Sequence, residues 1–168
     1  HLSNQLDDIA QFKNNVMPTL RAEVERYRKQ NIPVYTMCMG DSSFDLFWYD
    51  YLFDIADFRN TIEQIGYPTP IFVAMGNHDN DGATIPNEST DFNATKPYRD
   101  TFGPTYYSFN IGDVHYIMLD NIRYRNEKTK KMKKGKYIVG ARNYDHVVVE
   151  EQLEWLRKDL AMIEDKST

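Results

Sequence analysis

The chain has 168 residues and a formal charge of −5, with 41% hydrophobic, 14% aromatic and 27% charged residues. That much apolar and aromatic material at so small a net charge excludes an intrinsically disordered chain, and without a run of about 18 apolar residues no segment reads as a membrane-spanning helix. A single cysteine, Cys38, excludes an internal disulfide, and the length suits one domain that buries roughly 70% of its unfolded surface.

In chain order, residues 1–15 read as polar and irregular. A helix is predicted from about Pro18 to Gln30, with Leu20, Val24 and Tyr27 on one face and Arg26, Arg28 and Lys29 in its last turn, where they complement the helix dipole. Pro33 to Met39 is a continuous apolar run, the pattern of a strand covered on both faces. Between Phe44 and Ile65, Leu52, Ile55, Phe58 and Ile62 have helical spacing, and Gly66 is the expected stop. Pro70 to Met75 is a second buried-strand run. A polar loop follows, then a short helix over Ala94 to Phe102 ended by Gly103-Pro104. Tyr106 to Asn110 and Val114 to Leu119 form a predicted hairpin around Ile111-Gly112-Asp113. A basic stretch, about residues 121–136, is expected as an insertion. The last helix covers about Val148 to Ile163, with Leu153, Leu156 and Leu160 on one face. The order implies an α/β fold, a partly parallel sheet flanked by helices with antiparallel strands toward one end.

Two strand runs end in Met-Gly followed by ligand-type residues: Met39-Gly40-Asp41, and Met75-Gly76-Asn77-His78-Asp79. In open α/β sheets ligands bind beyond the carboxyl ends of the strands. If the two strands are parallel neighbours, Asp41 and Asn77 converge there. Carboxylate, amide and imidazole donors together suit a hard-to-borderline divalent metal. A Gly-Asp after a strand is by itself most often only a turn. Four consecutive residues holding an amide, an imidazole and a carboxylate are harder to explain that way.

Gly40-Asp41 and Gly76-Asn77-His78-Asp79 resemble two signature blocks of the calcineurin-like metallophosphoesterases, and Tyr106 to Asp120 resembles the hairpin that follows them. The resemblance extends over most of the chain. It implies a layered metallophosphoesterase-type sheet and metal-dependent hydrolysis of a phosphate mono- or diester by a metal-bridged hydroxide, with two divalent ions (Mn, Fe, Zn or Mg) about 3.5–4 Å apart. Residue by residue, it implies that Asp41 bridges the metals, Asn77 ligates the second, and His1 ligates the first as the His of an Asp-x-His block. It implies that His78 stabilises or protonates the leaving oxygen and that Asp79 orients it. The family's later His and Gly-His-x-His blocks have no counterpart here, so the expectation is a truncated portion of a catalytic domain, inactive and metal-free or partly occupied by itself. Purple acid phosphatases carry a ligating Tyr three residues after the Gly-Asp carboxylate. Phe44 stands there and cannot ligate, which argues against an iron–phenolate site.

The alternative reading is a non-catalytic binding module that keeps the fold. The expected partner is a phosphorylated small molecule or ester. The stretch Arg123 to Lys136 holds eight Lys/Arg and one acid, Glu127. It reads first as a solvated insertion and second as a patch for phosphate-rich partners, nucleic acid among them. Unpaired strand edges offer a route to an oligomer. His115, His146, Asp120 and Cys38 read as packing or surface residues. The aromatic cluster from Phe44 to Phe58 reads as core, with Trp48, Tyr49 and Tyr51 best able to line a cleft.

Overall fold

The computed structural model describes residues 7–43, 45–126, 132–134, 137–139 and 142–163. Its first elements, α1 (Asp8–Gln11), a π-helical turn (Phe12–Val16) and α2 (Met17–Arg28), form one continuous helical segment. Residues 8–15, read from sequence as irregular, are therefore helical. The polar run Lys13-Asn14-Asn15 hides any amphipathic stripe. Tertiary contact supplies what periodicity lacks: Ile9 and Phe12 pack against a cluster of Phe53 and Phe58, and Phe12 stacks on Tyr67 with ring centroids 6.3 Å apart. Pro18 lies inside this segment. Its ring would meet the carbonyl four residues back, and the π-turn loosens the ladder at that point. Met17 and Val24 are the buried residues of α2, whereas Tyr27 is exposed under the Arg26 guanidinium, 4.2 Å from its ring.

β1 (Thr36–Cys38) and β2 (Ile71–Val73) are parallel neighbours, with Thr36, Met37 and Cys38 opposite Ile71, Phe72 and Val73. Both are shorter than the apolar runs containing them. The intervening chain forms α3 (Asp45–Asp50) and α4 (Ile55–Ile65). α4 starts at a capping box: the Asp54 carboxylate accepts from the N–H groups of Ala56 (2.8 Å) and Asp57 (3.2 Å), and Asp57 accepts from the N–H of Asp54 at 3.1 Å. It ends at Gly66 in the left-handed region, φ +69°. Ile55 and Phe58 are buried, as the spacing required. Leu52 is not on that stripe: it precedes the cap, has φ +51° and is 68% exposed. The main core joins Trp48, Ile55, Val73, Met75 and Tyr98, with Cys38, Tyr49, Ile71 and Phe102 packed against it. Full burial of a residue such as Ile55 is worth about 2 kcal/mol.

α5 (Thr90–Ala94) and α6 (Lys96–Phe102) precede the hairpin β3 (Tyr107–Ile111) and β4 (Val114–Met118), which turns at Gly112 with φ +58°. The hairpin lies over β2. Phe109 stacks on Phe72 with centroids 3.8 Å apart. The Tyr107 hydroxyl donates to the Val73 carbonyl at 2.9 Å, a carbonyl that also accepts from Tyr98 at 2.6 Å.

The basic stretch expected as an insertion includes paired strands. β5 (Ile122–Tyr124) pairs antiparallel with β8 (Tyr144–His146), and β6 (Met132–Lys134) pairs antiparallel with β7 (Tyr137–Val139) between them. The excursion thus has a strand-paired root. His146, read as a packing or surface residue, is the last residue of β8. α7 (Glu150–Ala161) closes the described chain. Gln152 of α7 holds both backbone groups of Asp120, accepting its N–H at 3.0 Å and donating to its carbonyl at 2.8 Å. Asp159 of α7 accepts from the Ser108 hydroxyl at 2.6 Å and pairs with His115 Nε2 at 2.7 Å. Burial works to raise the Asp159 carboxyl, but those two bonds outweigh it and hold the group below its ordinary range. The architecture is a mixed α/β fold of helices around small sheets, with a parallel pair at its centre. No helix among the described residues is long and apolar enough to cross a membrane.

Candidate functional site

The ends of β1 and β2 meet glycine on glycine. Gly40 has φ +94°, and a Cβ there would lie 2.6 Å from the Gly76 nitrogen and 2.7 Å from its Cα. A Cβ on Gly76 would lie 2.2 Å from Asp41 Oδ1 and 2.5 Å from the Asp41 nitrogen. Side chains are excluded at both positions because the two turns cross in contact. Asp41 itself sits at φ +55°, a conformation that costs a non-glycine residue on the order of 1 kcal/mol.

Asp79 ties the crossing together. It lies in the 3-10 turn Asn77–Asp79 and has no exposed surface. Its Oδ2 accepts from the N–H groups of Gly76 and Asp41, both at 2.8 Å, and its Oδ1 accepts from Ser42 N–H at 2.9 Å. Burial pushes the carboxyl up to about 6; the three N–H donors oppose that shift, and the neighbouring Asp41 charge adds to it. The group to which the resemblance gives the orienting of His78 thus binds backbone on both sides of the crossing.

The parallel pairing brings the two motif blocks together as the sequence expected. His78 donates its backbone N–H to Asp41 Oδ1 at 3.1 Å, so Asp41 is held from the second strand. Asn77 donates from Nδ2 to the Tyr144 hydroxyl at 3.1 Å. Asn80, fully buried, donates to the Asn77 carbonyl at 3.3 Å. Beyond the block, Tyr49 donates to Asp81 Oδ1 and accepts from the Ala83 N–H at 2.9 Å. Tyr49 therefore fastens the following loop instead of standing free in a cleft. His1 and Phe44 lie outside the described residues.

At the crossing, Asp41 and Asn77 carry side-chain oxygens of the kind a divalent ion takes. A carboxylate held through one oxygen by an N–H keeps acceptor capacity, and an amide whose nitrogen is engaged presents its oxygen as the free end. The donors fit such an ion in kind. They are few in number: among the described residues no group of three His, Cys, Asp or Glu side chains is placed to hold a metal.

The structure adds Tyr144 to the site. No sequence signal could have found it, since it belongs to no motif and lies beyond the basic stretch. His115 has Asn110 and Asp159 as its partners, away from the crossing. His146 is exposed, its ring edge-on to Tyr144 at 5.3 Å. Asp120 is buried, and burial pushes its carboxyl up to about 6 against bonds from the Ile122 N–H and the Thr105 hydroxyl.

Among known proteins, the family model described as calcineurin-like phosphoesterase matches residues 5–166. No curated protein and no solved structure matches the chain.

Proposed function

The chain belongs to the calcineurin-like phosphoesterase family, whose chemistry is phosphoester hydrolysis with divalent metal ions, and from that membership we propose the roles its own residues take in hydrolysing a phosphate mono- or diester. The observation that carries the proposal is the crossing at Gly40 and Gly76, which sets Asp41, Asn77 and His78 side by side at the ends of two parallel strands. Asp41 and Asn77 would hold the metal, with His1 as a further ligand. Divalent ions, when bound, supply the acidity that makes water a nucleophile near neutral pH and the positive charge that clamps phosphate oxygens. Asp41 then balances that charge, kept in place by the His78 N–H. The His78 imidazole gives a proton from a ring nitrogen to the departing ester oxygen, or hydrogen-bonds it as charge develops. Asp79 serves through the backbone: its three accepted bonds fix the carboxylate-bearing turn against the imidazole-bearing one.

The test is turnover of p-nitrophenyl phosphate and bis-p-nitrophenyl phosphate by the full-length gene product with added Mn²⁺. Both His78→Ala and Asn77→Ala are expected to lower kcat/KM by about 10²-fold or more. Unchanged turnover in both variants sinks the assignment. Residues 1–168 alone are proposed to be inactive, because the carboxylate of Asp41, the amide of Asn77 and the imidazole of His1 are too few donors for a two-metal site. The same scarcity favours the second reading, a module that keeps the fold and binds without turnover. Full-length protein that binds phosphoester yet shows no Mn²⁺-dependent turnover would establish that reading instead.

A further inference from the structure

The excursion that interrupts the chain after β5 returns along β8, and its root is fastened to the motif loops at two points. Asn126, 2% exposed, closes the end of the β5 segment: its Nδ2 donates to the carbonyls of Thr84 at 3.0 Å and Gly82 at 3.4 Å, just past the Gly-Asn-His-Asp block. Its Oδ1 accepts from the Arg142 N–H at 3.3 Å on the returning chain. The N–H groups of Arg125 and Asn126 both donate to the Asn143 carbonyl, at 2.8 and 3.0 Å, and Arg125 pairs with Asp145 at 3.1 Å. The next residue, Tyr144, is thereby delivered to Asn77, whose side-chain amide donates to its hydroxyl at 3.1 Å.

We propose that Tyr144 is a positioning residue of the phosphoesterase site: it holds the Asn77 amide by its nitrogen end so that Oδ1 is the end presented to a divalent cation. An asparagine has a donor end and an acceptor end that differ only by a half-turn of the amide. A ligand that must offer oxygen loses affinity for every fraction of time it offers NH₂. In the orientation seen, the Tyr144 hydroxyl accepts from the Asn77 amide nitrogen, with Oδ1 as the opposite end. Partners behind metal ligands typically change affinity by 10- to 100-fold when removed. The strand pair β5–β8 thus becomes part of the site, and the root of the basic excursion is joined to Asn77 through the Tyr144 hydroxyl.

This rests on the reading of Asn77 as a ligand, and the experiment separates the two. Mn²⁺ affinity is measured by electron paramagnetic resonance on the full-length gene product and on Tyr144→Phe, Asn77→Ala and the double variant, with thermal midpoints recorded for each. Tyr144→Phe keeps the ring against His146 and removes only the hydroxyl. It is expected to weaken Mn²⁺ by about 10-fold with an unchanged midpoint, Asn77→Ala to weaken it more, and the double variant to match Asn77→Ala. In the apo protein, the Asn77 side-chain amide protons should exchange faster in Tyr144→Phe by NMR, which needs no metal. Wild-type affinity in Tyr144→Phe beside a weakened Asn77→Ala overturns the positioning role and leaves the ligand reading standing. Wild-type affinity in Asn77→Ala, or no Mn²⁺ uptake by the wild type, overturns both. If Tyr144→Phe fails to fold, amide exchange at Asn77 in the wild type decides: exchange as fast as that of exposed asparagines overturns the proposal.

Discussion

Gly76 shows how much one missing methyl can decide. Its φ of −106° is open to any residue, so the requirement for glycine is steric: the Asp41 carboxylate and nitrogen occupy the space a Cβ would take. Gly76→Ala is expected to destabilise the fold by about 1–3 kcal/mol in a urea titration, and to abolish turnover because the collision falls on Asp41. Asp120 offers a second prediction. Its folded pKa is about 6 against an ordinary value near 4, so the folded chain binds more protons than the unfolded chain between those limits. The stabilisation is complete below pH 4 and is lost as pH rises through 6. Asp120→Asn keeps an oxygen for the Ile122 N–H and removes the titration. From pH 4 to pH 7 the wild type should lose on the order of 2 kcal/mol relative to this variant, measured as paired unfolding curves. A constant difference between the two would refute the shift.

At the scale of elements, α4 is the most self-sufficient. Its start is fixed by Asp54 and Asp57, its end by Gly66, and its buried face by Ile55 and Phe58. Asp54→Ala should cost about 1 kcal/mol while kcat for the full-length protein stays at the wild-type value, since none of the bonds Asp54 makes reaches the crossing. Loss of turnover at full occupancy of the folded state would contradict that independence. β5 and β8 behave in the opposite way. Each is three residues long, a length at which an isolated two-stranded pair is not stable. They persist through side chains, with Tyr124 buried and its N–H donating to Asp91 at 2.5 Å.

Across the whole molecule, the hairpin and the last helix are joined by polar contacts on Asp159. Asp159→Ala would leave the Ser108 hydroxyl and His115 without their carboxylate. A loss of about 2–3 kcal/mol is expected, accompanied by earlier hydrogen exchange in α7 than in α4. Uniform exchange across both helices would argue against a local joint. Added Mn²⁺ should raise the thermal midpoint of the full-length protein, since a ligand that binds only the folded state stabilises it by mass action, and Asn77→Ala should remove that increment.

The sequence alone determined what depends on near neighbours. The stripe of α4, the two apolar strand runs, the hairpin around Gly112 and the paired blocks at Asp41 and Asn77 follow from periodicity, turn chemistry and donor type within a few residues. It missed the helix over residues 8–15, whose evidence lies in the packing of Ile9 and Phe12. It also missed β5, which read as part of a charge run, and β8, beyond that run, each completed by pairing with the other. Tertiary structure decided that β1 and β2 are parallel neighbours, so that the two blocks face each other. It decided that Asp79 ties backbone across 37 and 38 residues of sequence, and that Tyr144 meets Asn77 across 67. The physical reason is common to all three. A hydrogen bond is chosen by which groups the folded chain buries together, and no local pattern records a partner that far away.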